Sequence, residues 1–298
     1  MIVYSAFLEN AFSFEINKHK RRGVKMKKIW IFLLMAAAAV SFAGQKSDLP
    51  YYDAEFPKTG DLGYLQERCK LDLSIPDGVK NFPTVIWFHG GGLSAGKKHI
   101  PRKLRTDKIA VAAVNYRLSG KRAQCPDYIY DAAAAAAWVK KHIAEYGGDP
   151  NRIYIAGHSA GGYLTSMLAL DAKYLGAYKM KPTDFAGYMA ISGQTTTHFR
   201  ILAERRAKGL KVPAVVLDEY APIQLARSGV PPLMLLVGDP AVEWPSRVEE
   251  NFLLAARLQR IYKDKNVKCH SFPTFNHGTV VDPSLMVINN TVLSKPKK

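Results

Sequence analysis

From about residue 65 onward the chain repeats one pattern: a short strand-like segment, in several places a continuous apolar run bounded by Gly or Pro, and then a stretch of helical spacing. The strand-like segments fall at 65–75, 84–89, 109–115, 152–156, 185–192, 233–237 and 267–272. Runs of this kind suit strands buried on both faces, as in a parallel sheet. The spaced stretches predict helices over 131–146, 161–170, 248–262 and 282–293. Alternating strands and helices imply βαβ units, so the expected fold is α/β, a mostly parallel sheet with helices on both faces. Asp131 is expected to N-cap the first helix, ahead of six alanines at 132–137 whose small side chains permit close packing on a sheet. Residues 45–57 are polar, with Pro and Tyr, and read as an extended lead-in. The least regular part is 182–222. A basic helix is expected there at 200–210, and the stretch around 193–222 reads as a small cap insertion. With no internal repeat or long linker, 44–298 reads as one domain.

The first 43 residues break this pattern. Met26-Lys27-Lys28 precedes an apolar run from Ile29 to Val40 and then Ser41-Phe42-Ala43. A charged start, an apolar middle and a small-x-small end follow the order of a secretory signal peptide. The run is shorter than the ~20 apolar residues a membrane-spanning helix needs. Residues 26–43 are therefore expected to be a cleaved leader and 1–25 an upstream extension. Export to the periplasm or beyond, with no stable membrane insertion afterwards, follows as the expectation. The net charge is +17, and +12 without those 43 residues. Such a surplus suits acidic surroundings, but no basic run is interleaved with aromatics, so a nucleic-acid partner is not expected. Cys69, Cys125 and Cys269 are too few for a disulfide scaffold and too dispersed for a zinc knuckle. In an oxidising compartment their odd number leaves at least one thiol unpaired unless chains cross-link. Nothing in the chain specifies an oligomeric state.

Candidate chemistry concentrates at three places. Gly157-His158-Ser159-Ala160-Gly161 lies straight after one apolar run and straight before a helical stretch. A serine on a tight strand-to-helix turn sits in strained backbone that lifts its hydroxyl clear of the sheet, and small residues on either side let strand and helix pass closely. The helix start turns unpaired N–H groups towards developing negative charge. Ser159 is the candidate nucleophile. His89-Gly90-Gly91-Gly92 follows another apolar run, and the amides of Gly91 and Gly92, with that of Ala160, are the candidate oxyanion donors. No Gly-Lys-Ser/Thr follows to suggest a phosphate loop. A serine hydroxyl needs a base to take its proton. Of the eight histidines, only His277, in Phe275-Asn276-His277-Gly278, falls on a loop beyond the last apolar run. His19 lies in the leader region, His142 in a helical stretch and His270 in a strand. His158 is the variable residue beside the serine, His99 and His198 are loop residues, and His89 reads as a structural hydrogen-bonder.

In this order and spacing the motifs resemble the α/β-hydrolase superfamily. The His-Gly-Gly-Gly loop resembles its esterase/lipase branch, that of hormone-sensitive-lipase-like and bacterial feruloyl or acetyl esterases. Lesser matches are Asn115-Tyr116-Arg117-Leu118, Gly147-Gly148-Asp149-Pro150 and Ser192-Gly193, and the likeness runs from about Leu65 to Val280. The resemblance implies a serine ester hydrolase acting through an acyl-enzyme, with no metal or other cofactor. Short-acyl or aromatic-acyl esters, carbohydrate esters among them, would be the substrates. Amidases of the arylformamidase or dipeptidyl-peptidase kind share the fold and stand as alternatives, as does a non-catalytic binding protein. One position departs from the family pattern. The acid usually stands three residues after the glycine that ends the penultimate core strand, and counting from Gly238 this is Ala241. Glu243, with a longer reach and Trp244-Pro245 behind it, is the preferred acid, and Asp239 is the alternative. Glu249-Glu250-Asn251 reads as the first turn of a helix.

Overall fold

A computed structural model of the chain describes residues 44–294. The expected leader at 26–43 and the extension at 1–25 lie outside the described residues. The strands are β1 (Gly44–Pro50), β2 (Lys70–Ile75), β3 (Phe82–Phe88), β4 (Ala110–Val114), β5 (Gly148–His158), β6 (Gly187–Ile191), β7 (Leu233–Val237) and β8 (Val267–Ser271). They form one sheet in the order β1-β2-β4-β3-β5-β6-β7-β8. β1 runs antiparallel to β2, and β2 antiparallel to β4. Every other pairing is parallel.

The apolar runs become strands because both faces of the sheet are covered. Along β3 every residue is buried, and successive side chains enter different cores. Ile86 and Phe88 pack with the helices Asp127–His142 and Ala160–Leu170. Val85 and Trp87 pack on the other side with Leu285, Ile288 and Val292 of the helix Val281–Leu293. The six alanines at 132–137 are all fully buried in the first of these cores, where the lack of bulk brings the helix close to the sheet.

Three sequence expectations shift. The run at 65–75 is a strand only from Lys70, because Leu62–Arg68 is a helix capped by Asp61, whose side chain accepts a hydrogen bond from the Tyr64 amide. That cap satisfies an amide the helix start leaves free. The lead-in at 45–57 is extended but also paired, since Gly44–Pro50 forms an edge strand. Asp131 caps nothing: the helix starts at Asp127, and Asp131 is fully buried inside it. Its carboxylate accepts from the Arg117 guanidinium at 2.7 Å and from the Tyr52 hydroxyl at 2.7 Å. A buried charge persists only with such partners, and here the pair ties the lead-in and the segment after β4 to the helix.

Between β6 and β7 lies the helix Phe199–Ala207, somewhat shorter than expected, within an otherwise irregular insertion. All three cysteines are free thiols. Among the described residues no helix is long and apolar enough to cross a membrane.

Candidate active site

The site gathers at the carboxyl ends of the parallel strands, where α/β sheets open their loops. β5 ends at His158 and the next helix starts at Ala160, so Ser159 alone makes the turn. Its φ of 55° and ψ of −113° are the strained backbone that the motif implied. The motif glycines answer to close approach. A Cβ on Gly161 would stand 2.0 Å from the Phe88 carbonyl oxygen, and one on Gly157 would stand 2.5 Å from the Gly161 carbonyl carbon. β3, β5 and the helix meet too closely there for any side chain.

Ser159 and His277 meet across 118 residues of sequence. The serine hydroxyl lies 2.9 Å from His277 Nε2, and His277 Nδ1 lies 2.6 Å from Glu243 Oε1. A carboxylate on Nδ1 fixes that nitrogen as the N–H donor, so Nε2 is left to accept from the serine. Glu243 is buried, and its carboxylate accepts four hydrogen bonds. Oε1 takes the imidazole N–H and the Trp244 amide at 2.9 Å, while Oε2 takes the Ser192 hydroxyl at 2.7 Å and the Gly238 amide at 3.2 Å. Burial alone would raise its pKa, but these donors, His277 first, pull it down to about 2. The other carboxylate flanking Ala241 points elsewhere. Asp239 accepts from the Thr274 amide at 2.7 Å and the Ala241 amide at 2.9 Å, stabilising the turn, and forms no bond with His277.

The His89-Gly90-Gly91-Gly92 loop comes alongside the nucleophile: a Cβ on Gly90 would stand 3.4 Å from Ser159 Cβ. Gly91 and Gly92 adopt φ of 112° and 61°. Their carbonyl side closes a turn, with the Ser94 and Ala95 amides donating to Gly91 O, while neither glycine amide donates to another described residue. The Ala160 amide, first in its helix, has no preceding turn to bond. His89 has the structural place expected of it, buried and stacked on Tyr116 at 4.4 Å.

Three contributors lay beyond the sequence reading. His158, the variable residue of the motif, donates from Nε2 to the His277 carbonyl at 2.7 Å and so holds the loop that carries His277. Burial, followed by the neighbouring His277, holds its pKa down to about 4, which keeps the ring neutral. Ser192 steadies the carboxylate from the end of β6, a placement foreshadowed only by the Ser192-Gly193 match. The Trp244 indole stacks on the His277 ring at 3.9 Å and 14° while staying 47% exposed. Phe199 Cζ would touch a Cβ on Gly92 at 3.0 Å, so one partly exposed aromatic ring lies against His277 and another against the glycine loop. Among the described residues no group of three His, Cys, Asp or Glu is placed to hold a metal ion.

Comparisons with known proteins fit this arrangement. Over 190 residues the chain is 32% identical to Secreted lipase 5 of Gibberella zeae, covering 55% of this chain and 34% of that one. It is 43% identical over 123 residues to a probable carboxylic ester hydrolase, LipM, of Mycobacterium tuberculosis, covering 40% of this chain and 28% of that one. The match thus spans about a third of the length of these curated relatives. A thermophilic esterase from Thermogutta terrifontis with propionate bound shares the fold at 19% identity and a TM-score of 0.63, over 87% of this chain and 98% of that one. A truncated carbohydrate esterase from gut microbiota does so at 17% identity and a TM-score of 0.65, over 85% and 96%. These likenesses show an α/β-hydrolase fold. The BD-FAE family model matches residues 71–231, from β2 through the nucleophile turn to the start of β7. That match takes in more than half of the chain but stops short of Glu243 and His277, so the place of those two residues rests on geometry. By the extent of that match, the chain belongs to the BD-FAE family.

Proposed function

We propose that this protein is a serine carboxylic-ester hydrolase acting through an acyl-enzyme on short-acyl or aromatic-acyl esters, carbohydrate esters among them. The observation that carries the reading is the line of two hydrogen bonds from Ser159 through His277 to Glu243. Ser159 attacks the ester carbonyl while His277 Nε2 takes its proton, and Glu243 stabilises the imidazolium that forms. The amides of Gly91, Gly92 and Ala160 receive the charge developing on the carbonyl oxygen, each such donor being worth ~3–4 kcal/mol in the transition state. His277 then returns the proton to the leaving alcohol and activates a water that releases the acid.

The esterases and lipases among the relatives support ester bonds as the target. The aromatic borders formed by Trp244 and Phe199 favour small acyl groups or flat rings over long chains. The carboxylate that Ala241 seemed to withhold is supplied by Glu243, which weighs against a scaffold that has lost its chemistry. Export is part of the proposal: the leader at 26–43 would be removed, and exported protein would begin near Gly44.

The test is hydrolysis of a p-nitrophenyl ester series of rising acyl length by the purified protein and by Ser159→Ala. Turnover that needs the serine and declines with acyl length is expected. A folded Ser159→Ala variant that retains turnover would overturn the nucleophile. Turnover of formanilides or peptides in preference to esters would shift the reading to an amidase. Intact mass of exported protein should start near Gly44, and retention of Met1 or Met26 would contradict cleavage.

A further inference from the structure

Arg200 is the second residue of the cap helix, after Phe199, and its guanidinium reaches the glycine loop. Nη2 donates to Ser94 Oγ at 2.5 Å, and that hydroxyl would lie 3.9 Å from a Cβ on Gly92. Ser94 itself belongs to the turn closed on the Gly91 carbonyl. The guanidinium therefore stands on the turn that carries the candidate oxyanion amides. It is half-buried, its Nε is shut from solvent without an acceptor, and no carboxylate of a described residue comes within 4.0 Å. The acid on the same helix is engaged elsewhere, since Glu204 accepts from Ser119 Oγ and the Cys125 amide.

The two buried arginines of the described residues each have a carboxylate, Arg117 meeting Asp131 at 2.7 Å and Arg247 meeting Glu250 at 3.4 Å, while the half-buried Arg68 and Arg227 donate to backbone carbonyls instead. A guanidinium withdrawn from water without a counter-charge is costly, and its planar fork matches a carboxylate. The chain leading away from the loop carries five bases and no acid over 97–105; Lys98 is paired with Asp48 and Asp72 and Lys103 with Asp282, which leaves Lys97, Arg102 and Arg105 to add positive charge. A field of one sign draws anionic ligands towards the site.

We infer that Arg200 receives a carboxylate carried by the ester substrate, close to the scissile bond, so that acidic esters are the preferred class. This rests on the serine-esterase reading above. The carboxylate can belong to the alcohol, as in a uronic acid, or to the acyl group, as in a half-ester of a dicarboxylic acid.

Two matched pairs of substrates distinguish these sources: O-acetyl methyl galacturonoside against O-acetyl methyl galactoside, and monoethyl succinate against ethyl butyrate. The wild-type protein should favour the charged member of one pair by about tenfold or more in kcat/KM, as a charge-assisted hydrogen bond allows. Added salt should narrow the margin. Arg200→Gln should remove the preference mainly by raising KM for the charged member, and Arg200→Lys should restore part of it. Indifference of the wild type to charge in both pairs, or a preference that survives Arg200→Gln, would overturn the assignment. If the variants do not fold, competition in the wild type decides. Galacturonate or succinate should inhibit 4-nitrophenyl acetate hydrolysis where galactose and butanol do not, and equal inhibition would count against the inference. Failure of the esterase reading looks different, because no ester of any charge would then show serine-dependent turnover, and the inference would fall with it.

Discussion

The turn after β5 and the loop after β7 each deliver one side chain to the site, and they hold it by opposite means. Ser159 is placed by backbone alone: a positive φ, and two glycines whose missing side chains let β3, β5 and the helix close on one another. No hydrogen bond of the serine side chain is needed to aim it. Glu243 ends a looser excursion of five residues beyond Gly238, and its carboxylate is aimed by four donors from three separate segments. A position enforced by sterics tolerates almost no change in local sequence. One enforced by side-chain hydrogen bonds can slide along a loop, here two residues past the family's usual place, while the carboxylate still reaches the imidazole.

This contrast can be broken from either side. The largest effect should come from Glu243→Gln, which keeps the shape but leaves Nδ1 facing an amide. A kcat loss of about 10³–10⁴-fold with the fold retained is expected, measured on a p-nitrophenyl ester. Gly161→Ala attacks the other region, forcing a methyl group 2.0 Å from the Phe88 carbonyl oxygen. A stability loss of about 3 kcal/mol or more in chemical denaturation is expected; a stable, active variant would show that the turn has slack.

Buried neutral imidazoles couple stability to pH. Burial holds both His158 and His89 down to about 4 from an ordinary 6.5. Between those values the unfolded chain binds protons that the folded one refuses, so stability should fall as pH drops from 6.5 towards 4, by about 2 kcal/mol or more over that window. A flat urea midpoint across that range would contradict it. His158→Leu should lower kcat about tenfold with KM little changed, through the lost bond to the His277 carbonyl, and His158→Gln should recover most of that because its amide can donate. Asp239→Asn should be the smallest change, no more than about twofold in kcat, as expected for a turn residue outside the relay. A larger loss than for Glu243→Gln would move the acid to Asp239.

The same contrast explains what could be read from the residues. The serine turn and the glycine loop were legible because steric demands write themselves into adjacent positions. The carboxylate that meets His277 was legible only as a choice between Asp239 and Glu243, since nothing local states which carboxylate the donors favour. His158 and Ser192 were hidden because their contacts span 119 and 51 residues. Asp131 misled for a related reason. A carboxylate ahead of six alanines resembles a helix cap until Arg117, from the segment after β4, is brought against it. The sheet and its parallel core were plain from the continuous apolar runs, whereas the helix at Leu62–Arg68 was hidden because its last turn was joined to the strand-like segment at 65–75 and its Asp61 cap passed unnoticed.

The most direct test of the account is labelling with a fluorophosphonate, followed by intact mass and peptide mapping. One adduct on the peptide carrying Ser159 is expected, absent in Ser159→Ala and formed far more slowly in Glu243→Gln, while Asp239→Asn labels at nearly the wild-type rate. An unlabelled wild type, an adduct on another residue, or equal rates for Glu243→Gln and wild type would contradict the Ser159–His277–Glu243 relay.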